Sequence, residues 1–457
     1  MPDGAQPNMT FSASLSRRLE EASAILKSHK GDVRIISHYD PDGIGAAAVA
    51  CRMVRRLGLG FRTTLSKKLT DEMLAEIRDK TPEDHLIIFT DMGSSMITQL
   101  EDFPQRVMVI DHHQPEKEGE NIVHLNPHLF GIDGAREASA SSFFLALATT
   151  VASENWDMIG PALAGAVGDR QNLGGFKGYN EDMVIAAAGR GLLKLENLPN
   201  LKGQTVYDSF IDYPEPYFKG ITGRKRESSR FLKWMGFEKE TKLSDLDDEK
   251  KRFLNSICAL RLIRQNATPE ATGDLIITRY WLNSWNMYAD ELSSLFNSCS
   301  RQGEQTLGLA LALGDAGAKE KALEHERAHR EFIVQNLREL ETEPPKAMDH
   351  IQHFRTSEVN YAGVLAGLGT LYFFDSSRPT LGMAEKGGEL HLSARAPRAL
   401  VKAGLNLGLA CKQAAEKVGG AGGGHDIAAG ATFPVKSEAK FLKEMDRIVG
   451  EQLHPEK

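Results

Sequence analysis

The stretch "RIISHYDPDGIGAAAVACRMV", Arg34–Val54, carries an apolar run straight into His38, Asp40 and Asp42, and then into a segment of small residues. "VRII" (Val33–Ile36) predicts a strand and "GIGAAAVACRMVRRLG" a helix. The pattern recurs downstream. "HLIIF" (His85–Phe89), "RVMVI" (Arg106–Ile110) and "IVHLN" predict further short strands. "SASSFFLALATTVA" and "MIGPALAGAVG" predict helices. Short apolar strands alternating with helices predict an α/β fold with a parallel sheet covered on both faces. Ligands in such folds lie outside the carboxyl ends of the strands.

Those ends are charged. The first strand gives His38, Asp40 and Asp42, the second "FTDMGSS" with Asp91, and the third "VIDHHQP" with Asp111, His112 and His113. A later helix ends in "GAVGDRQ", with Asp169 and Arg170. If strand geometry continues past Ile36, period-two alternation sends His38, Asp40 and Asp42 to one side. Parallel strands lie ~4.8 Å apart, so the carboxylates converge and repel unless cations sit among them. A mixed Asp/His set suits Mn²⁺ or Mg²⁺ better than a thiolate-seeking metal. Two ions ~3.5–4 Å apart, bridged by one carboxylate, are an arrangement that promotes in-line attack on a phosphodiester.

Composition sets the bounds. The 457 residues leave room for two or three domains. The net charge of -7 excludes a generally basic nucleic-acid coat, though not a local basic groove. Four scattered cysteines with no CxxC predict reduced, buried thiols of a cytoplasmic protein. "MPDGAQPNMTFSAS" has no apolar leader core, and no window approaches the ~18 apolar residues of a membrane span. Asn8-Met9-Thr10 matches a glycosylation sequon, which has no meaning in a cytoplasmic chain.

The expected organisation is an N-terminal helix (1–30, with a stripe of Leu15, Leu19, Ala22, Ile25 and Leu26), a metal-bearing domain (31–197), an inserted module or linker (198–300) and a C-terminal α/β domain (301–457). The middle segment mixes Pro and Tyr clusters ("DYPEPYFKG") with a basic run ("GRKRESSRFLKW"). The C-terminal part ends in the glycine-rich "VGGAGGGHDIAAGATF", read as a loop whose bare N–H groups suit a phosphate.

"HYDPDG", "TDMG", "DHHQP" and "GDRQ" together resemble the four motifs of the DHH phosphoesterase superfamily, and "SARAP" and "GGGHDIAAG" its C-terminal associated domain. The resemblance covers roughly residues 31–195 and 300–435. Within it, Ala289–Asp315 is similar to the linker of archaeal RecJ-like nucleases, including the GINS-associated nuclease. The resemblance implies a parallel-sheet DHH domain, a smaller α/β DHH-associated domain and a cleft between them. It implies two Mn²⁺ or Mg²⁺ ions, with Asp40 and Asp42 on different ions and Asp91 bridging. His112 and Asp169 would complete the second ion, and His38 is a further candidate ligand. His113 would touch the scissile phosphate, with Asp111 holding the histidine pair. Arg395, Gly423, Gly424 and His425 would grip the phosphate backbone.

The implied activity is single-strand-specific exonucleolytic hydrolysis of DNA or RNA, in replication or repair. The alternatives are an oligoribonuclease or cyclic-dinucleotide phosphodiesterase, and a replisome component docking on GINS. The family includes a eukaryotic helicase subunit that has lost its metal site, whereas here every expected ligand position is filled. Two motifs stand apart. His325-Glu326-Arg327-Ala328-His329 is a literal HExxH, but its charged helix and the missing G-x-x-H continuation favour packing histidines. "GRKRESSR" with Phe231, Trp234 and Phe237 reads as a strand-binding patch, a solvated face or a partner-docking surface.

Overall fold

The computed structural model describes residues 11–273 and 276–454, so the Asn8 sequon lies outside the described residues. The chain divides into two compact units, one of residues 1–197 and 278–327, the other of residues 198–277 and 328–457. An expected boundary near residue 300 has no counterpart in this division.

The first unit is built on five parallel strands, β1 (Val33–His38), β2 (Phe61–Ser66), β3 (Leu86–Thr90), β4 (Arg106–Ile110) and β5 (Val123–Leu125), in the order β2-β1-β3-β4-β5. Alternation sorts the strand residues between two cores. Ile35, Ile88, Met108 and Ile110 face the helices Ala13–Ser28, Pro41–Arg56, Ala140–Val151 and Ile159–Gly168. Ile36, Ile87, Phe89 and Val109 face Leu74 and Ile77 of the helix Asp71–Lys80, and Leu100. Burial on both sides explains why β3 reads as an unbroken apolar run. β2, "FRTTLS", is an edge strand with no fully buried residue, and its polar side chains hid it from apolar-run reading.

The chain leaves β1 for β2 on one side and returns to β3 on the other. Right-handed crossovers then put the helices after β1 and after β2 on opposite faces. A crevice opens at that switch point, beyond the carboxyl ends of β1 and β3. The helix Pro41–Arg56 starts there, buried throughout from Pro41 to Cys51. Its small residues let neighbouring helices come close, since a Cβ on Gly45 would stand 2.5 Å from the Pro161 carbonyl oxygen. A small sheet, β6 (Leu193–Pro199), β7 (Ile276–Leu282) and β8 (Met287–Tyr288), follows. The segment "TLGLALALGD" lies largely in a helix, Gln305–Ala312, that packs on Pro41–Arg56 within the first unit.

The second unit holds a mixed sheet of β9 (Lys346–Ala347), β10 (Gln352–Arg355), β11 (Thr380–Lys386), β12 (Glu389–Arg395), β13 (Ala421–Gly424) and β14 (Ala428–Pro434), in the order β13-β14-β12-β11-β10-β9. Only β10 and β11 pair in parallel. The glycine run expected as a loop is therefore mostly an edge strand, β13. Apolar residues between 201 and 262 of the middle segment share one core with Ile333, Leu337 and Leu365, so the basic and tyrosine-rich stretches fold onto later helices. The four cysteines are free and buried. No described helix is long and apolar enough to cross a membrane.

Replacing Gly45 by Val forces apart the helices at Gly45 and Pro161. The expected loss is about 2 kcal/mol of stability, read as a lower urea midpoint. An unchanged midpoint would contradict the close approach.

Candidate metal centre

β1 ends at His38, and the backbone then turns rather than continuing as strand. Asp40 is the N-cap of the helix Pro41–Arg56, its Oδ1 accepting from the Gly43 N–H at 3.1 Å, with Pro41 at the first helical position. Asp42 already lies in the first helical turn. The three side chains thus meet through a strand-to-helix turn and not through strand alternation, which corrects the period-two expectation. Gly43 is required by this turn, because a Cβ would lie 2.2 Å from the His38 carbonyl oxygen.

Asp91 follows β3 directly with φ +56, a left-handed conformation uncommon for a non-glycine residue. The residue is 2% exposed. Oδ2 lies 3.3 Å from His38 Nδ1, and Oδ1 lies 3.3 Å from His112 Nε2. Neither oxygen accepts a hydrogen bond of acceptable geometry. The two oxygens therefore face two different groups. His38, Asp40 and Asp91 form one, with His38 Nδ1 3.0 Å from Asp40 Oδ2. Asp42, His112 and Asp169 form the other, with His112 Nε2 3.2 Å from Asp169 Oδ2 and 3.8 Å from Asp42 Oδ2.

The protein fixes these side chains from behind. His112 Nδ1 lies 2.7 Å from the Gly134 carbonyl oxygen, an acceptor only, so Nδ1 donates there and Nε2 is turned towards the carboxylates, which, against the cost of burial, hold the ring's pKa well above its usual value. Asp42 is anchored at the start of the helix Ala140–Val151. Its Oδ2 accepts from the Ala140 N–H at 2.7 Å, and its Oδ1 from the Ser141 N–H at 3.1 Å and hydroxyl at 2.5 Å. Asp111 Oδ1 accepts from the N–H groups of His112 and His113 at 2.8 and 3.2 Å and from His113 Nδ1–H at 2.8 Å, while Oδ2 accepts from the Ser94 N–H at 3.0 Å. His113 also falls within reach of Asp91 and His112, but its Nδ1 is committed to Asp111. Its ring is largely exposed and Nε2 is left for an outside group.

Electrostatics follow from this crowding. Burial, together with Asp40 and Asp42, pushes Asp91 up to about 7. Burial and Asp42 likewise raise Asp169 well above the usual carboxylate range. Burial opposes charge on His38, but Asp40 and Asp91 outweigh it and lift the ring to about 11. Asp111 is lowered despite its burial, because His113 and His112 surround it. Buried acids pushed towards neutrality beside rings pushed towards charge are a conflict that a divalent cation among them would relieve. The orphaned oxygens of Asp91, Asp169 Oδ2 and His38 Nδ1 fit hard divalent cations.

Several supporting residues were given no role from the sequence, although Gln171 closes the "GDRQ" motif. Asn126 Nδ2 donates to Ser94 Oγ at 2.9 Å and to the His113 carbonyl at 2.8 Å. Gln171 Nε2 donates to the Gly134 and Ala138 carbonyls at 3.0 and 3.2 Å, and Asn180 holds Gln171 in turn. The available signals were "LNP" for Asn126 and "GDRQ" for Gln171.

In the second unit, β12 pairs Arg395 with Ala428, and β13 pairs Gly424 with Ala429. The His425 N–H donates to the Ala428 carbonyl at 2.8 Å. Arg395, Gly424 and His425 are thus brought to one end of the sheet. Gly424 has φ +137, whereas a Cβ on Gly423 would meet nothing within 4 Å. Arg395 lies against the helix Val359–Tyr372 at Gly363, with Nη1 donating to the Ala394 carbonyl at 2.8 Å. The HExxH histidines are occupied otherwise, His325 by Gln302 at 2.6 Å and His329 by the Tyr361 hydroxyl at 3.0 Å.

Residues 32–167 match the model of the DHH family, N-terminal domain, and residues 374–451 that of the DHHA1 domain. The chain thus carries a parallel-sheet domain that matches the DHH family and a separate mixed-sheet domain that matches DHHA1. It is 28% identical over 448 residues to an uncharacterized protein of Methanocaldococcus jannaschii, covering 96% of this chain and 98% of that one. Its fold resembles CDC45 of Entamoeba histolytica (14% identity, TM-score 0.65, covering 95% of this chain and 98% of the other). It also resembles the Mn²⁺ complex of RecJ from Thermus thermophilus (17% identity, TM-score 0.58, covering 98% of this chain). The chain spans 56% of the length of that RecJ.

His124 sits behind the Asp111 network, its Nε2 3.0 Å from Ser94 Oγ, and burial pushes its ring down to about 4. Unfolded, the ring takes a proton near 6.5. Its contribution is therefore complete above pH 6.5 and is lost as pH falls towards 4, by roughly 3 kcal/mol in all. His124→Gln should flatten the urea-midpoint profile across pH 6.5–4. A variant profile as steep as that of the parent chain would contradict the assignment.

Proposed function

We propose that the chain is a metal-dependent phosphodiesterase acting as a single-strand-specific exonuclease on DNA or RNA. The observation that carries this reading is the Asp91 carboxylate, whose two unpartnered oxygens face two separate ligand groups. In this reading His38, Asp40 and Asp91 hold one Mn²⁺ or Mg²⁺, and Asp42, His112 and Asp169 the other, with Asp91 shared between them. When bound, the ions supply charge neutralisation at the phosphate and activation of water. The chain's own groups do the rest. Asp111 orients His113 so that Nε2 meets the scissile phosphate and offsets charge developing on it. Arg395, with residues 423–425, holds the phosphate backbone. Phosphate-directed groups of this kind carry no base readout, consistent with a sequence-tolerant enzyme.

A role in replication or repair, with docking on GINS or other replisome proteins, is a separable part of the proposal, supported by the likeness in fold to CDC45. The filled ligand set favours catalysis over a purely structural role. Action on short oligoribonucleotides or cyclic dinucleotides is the competing enzymatic reading.

The test is a time course on end-labelled DNA and RNA 20-mers and on a dinucleotide, with Mn²⁺ and with Mg²⁺. Asp91→Ala should abolish digestion, His113→Ala should slow it about 10²–10³-fold, and Asp111→Asn about 10–100-fold. Digestion by Asp91→Ala at the parent rate would overturn the shared-ligand assignment. Turnover confined to the dinucleotide would favour the competing reading.

A further inference from the structure

The helix Lys225–Trp234, "KRESSRFLKW", takes no part in the metal centre. Its inner side is defined by buried Ser228 and Leu232, with Leu232 packed into the core that also holds Phe210 and Phe218. At ~100° per residue, Arg226, Arg230, Lys233 and Trp234 fall within one sector about 100° wide on the opposite side. All four are exposed. Arg226, Arg230 and Trp234 climb the axis in steps of ~6 Å, over ~12 Å in all.

Two features separate this face from an ordinary solvated one. Trp234 is 66% exposed, yet it is ordered by stacking on Phe231, with ring centroids 5.8 Å apart and planes at 13°. One face of the indole is covered and the other is open. Among the described residues, moreover, no ion pair neutralises Arg226, Arg230 or Lys233, although two other cations of the segment are engaged. Arg224 pairs with Glu341 at 3.0 Å, and Lys239 lies over the Tyr207 ring at 4.9 Å. In a chain of net charge -7, three uncompensated cations around an open indole form a local site for a flexible polyanion with aromatic groups.

We propose that this outer face binds single-stranded nucleic acid, with Arg226, Arg230 and Lys233 on the phosphate backbone and an unstacked base on Trp234. The inference rests on the strand-hydrolase reading and adds to it a binding platform outside the metal centre. A duplex would offer the phosphates but not the base face, because its bases are already stacked. A protein partner would need a broader apolar surface than one indole ringed by charge.

The test uses the full chain in EDTA, so that no strand is consumed, and follows the anisotropy of a labelled oligothymidylate 25-mer across a salt series. Trp234→Ala should weaken binding about 10-fold with the salt slope unchanged. Charge reversal at Arg226, Arg230 and Lys233 together should reduce the slope of log affinity against log salt by about two. Thermal melts of both variants should match the parent chain, since the side chains are exposed. Both variants should hydrolyse a dinucleotide in Mn²⁺ at the parent rate. Parent-like 25-mer binding by either variant overturns the proposal and leaves the face to another partner. Face-dependent strand binding by a chain that hydrolyses nothing would overturn the hydrolase reading alone.

Discussion

Asp91 brings a carboxylate into the interior with no well-formed hydrogen bond to either oxygen, and much of the first unit is arranged around that fact. An uncompensated buried charge costs several kcal/mol. Two imidazoles and three further carboxylates converge on the same spot, so the protein's own charges do not resolve the conflict. Cations would. The left-handed backbone at Asp91 is a second local cost, tolerated because the residue before it is fixed in the centre of a five-stranded sheet.

The remaining architecture holds these side chains still. The reversal of strand order between β1 and β3 opens the crevice, and the helix after β1 starts inside it. That start is crowded. A Cβ on Gly165 would lie 2.2 Å from Ser141 Oγ, and one on Gly168 would lie 2.6 Å from Pro41 Cβ. Small residues are therefore what allow three helices to meet behind Asp42 and to point N–H groups at its carboxylate. Asp111 performs the matching task for the histidine pair. Its four accepted bonds leave no freedom in the turn, and His113 inherits a fixed ring orientation.

Much of this was legible in the sequence, for local reasons. Doubly buried strands write themselves as apolar runs, and charged residues at successive strand ends mark the functional edge. β2 was not legible, because an edge strand with polar side chains has no such signature. Nor was the turn at Asp40, since an Asp-Pro pair reads equally as a strand end or a helix cap. The partners of Asp42 lie almost a hundred residues away, in an unremarkable "ASS", and are chosen by helix packing. The glycine run was misread for a related reason. Bare backbone suits a loop and an edge strand alike, and the pairing of Gly424 with Ala429 decides between them. The middle segment looked autonomous because its core partners, Ile333, Leu337 and Leu365, come later in the chain.

The central claim is that one carboxylate is shared between two cations. Equilibrium dialysis of the full chain against Mn²⁺, with low-temperature electron paramagnetic resonance on the same samples, tests it without reference to activity. The account predicts two ions per chain with an exchange-coupled signal, and loss of the coupling in Asp91→Asn. A single bound ion, or two ions whose signals stay uncoupled in the parent chain, would contradict it.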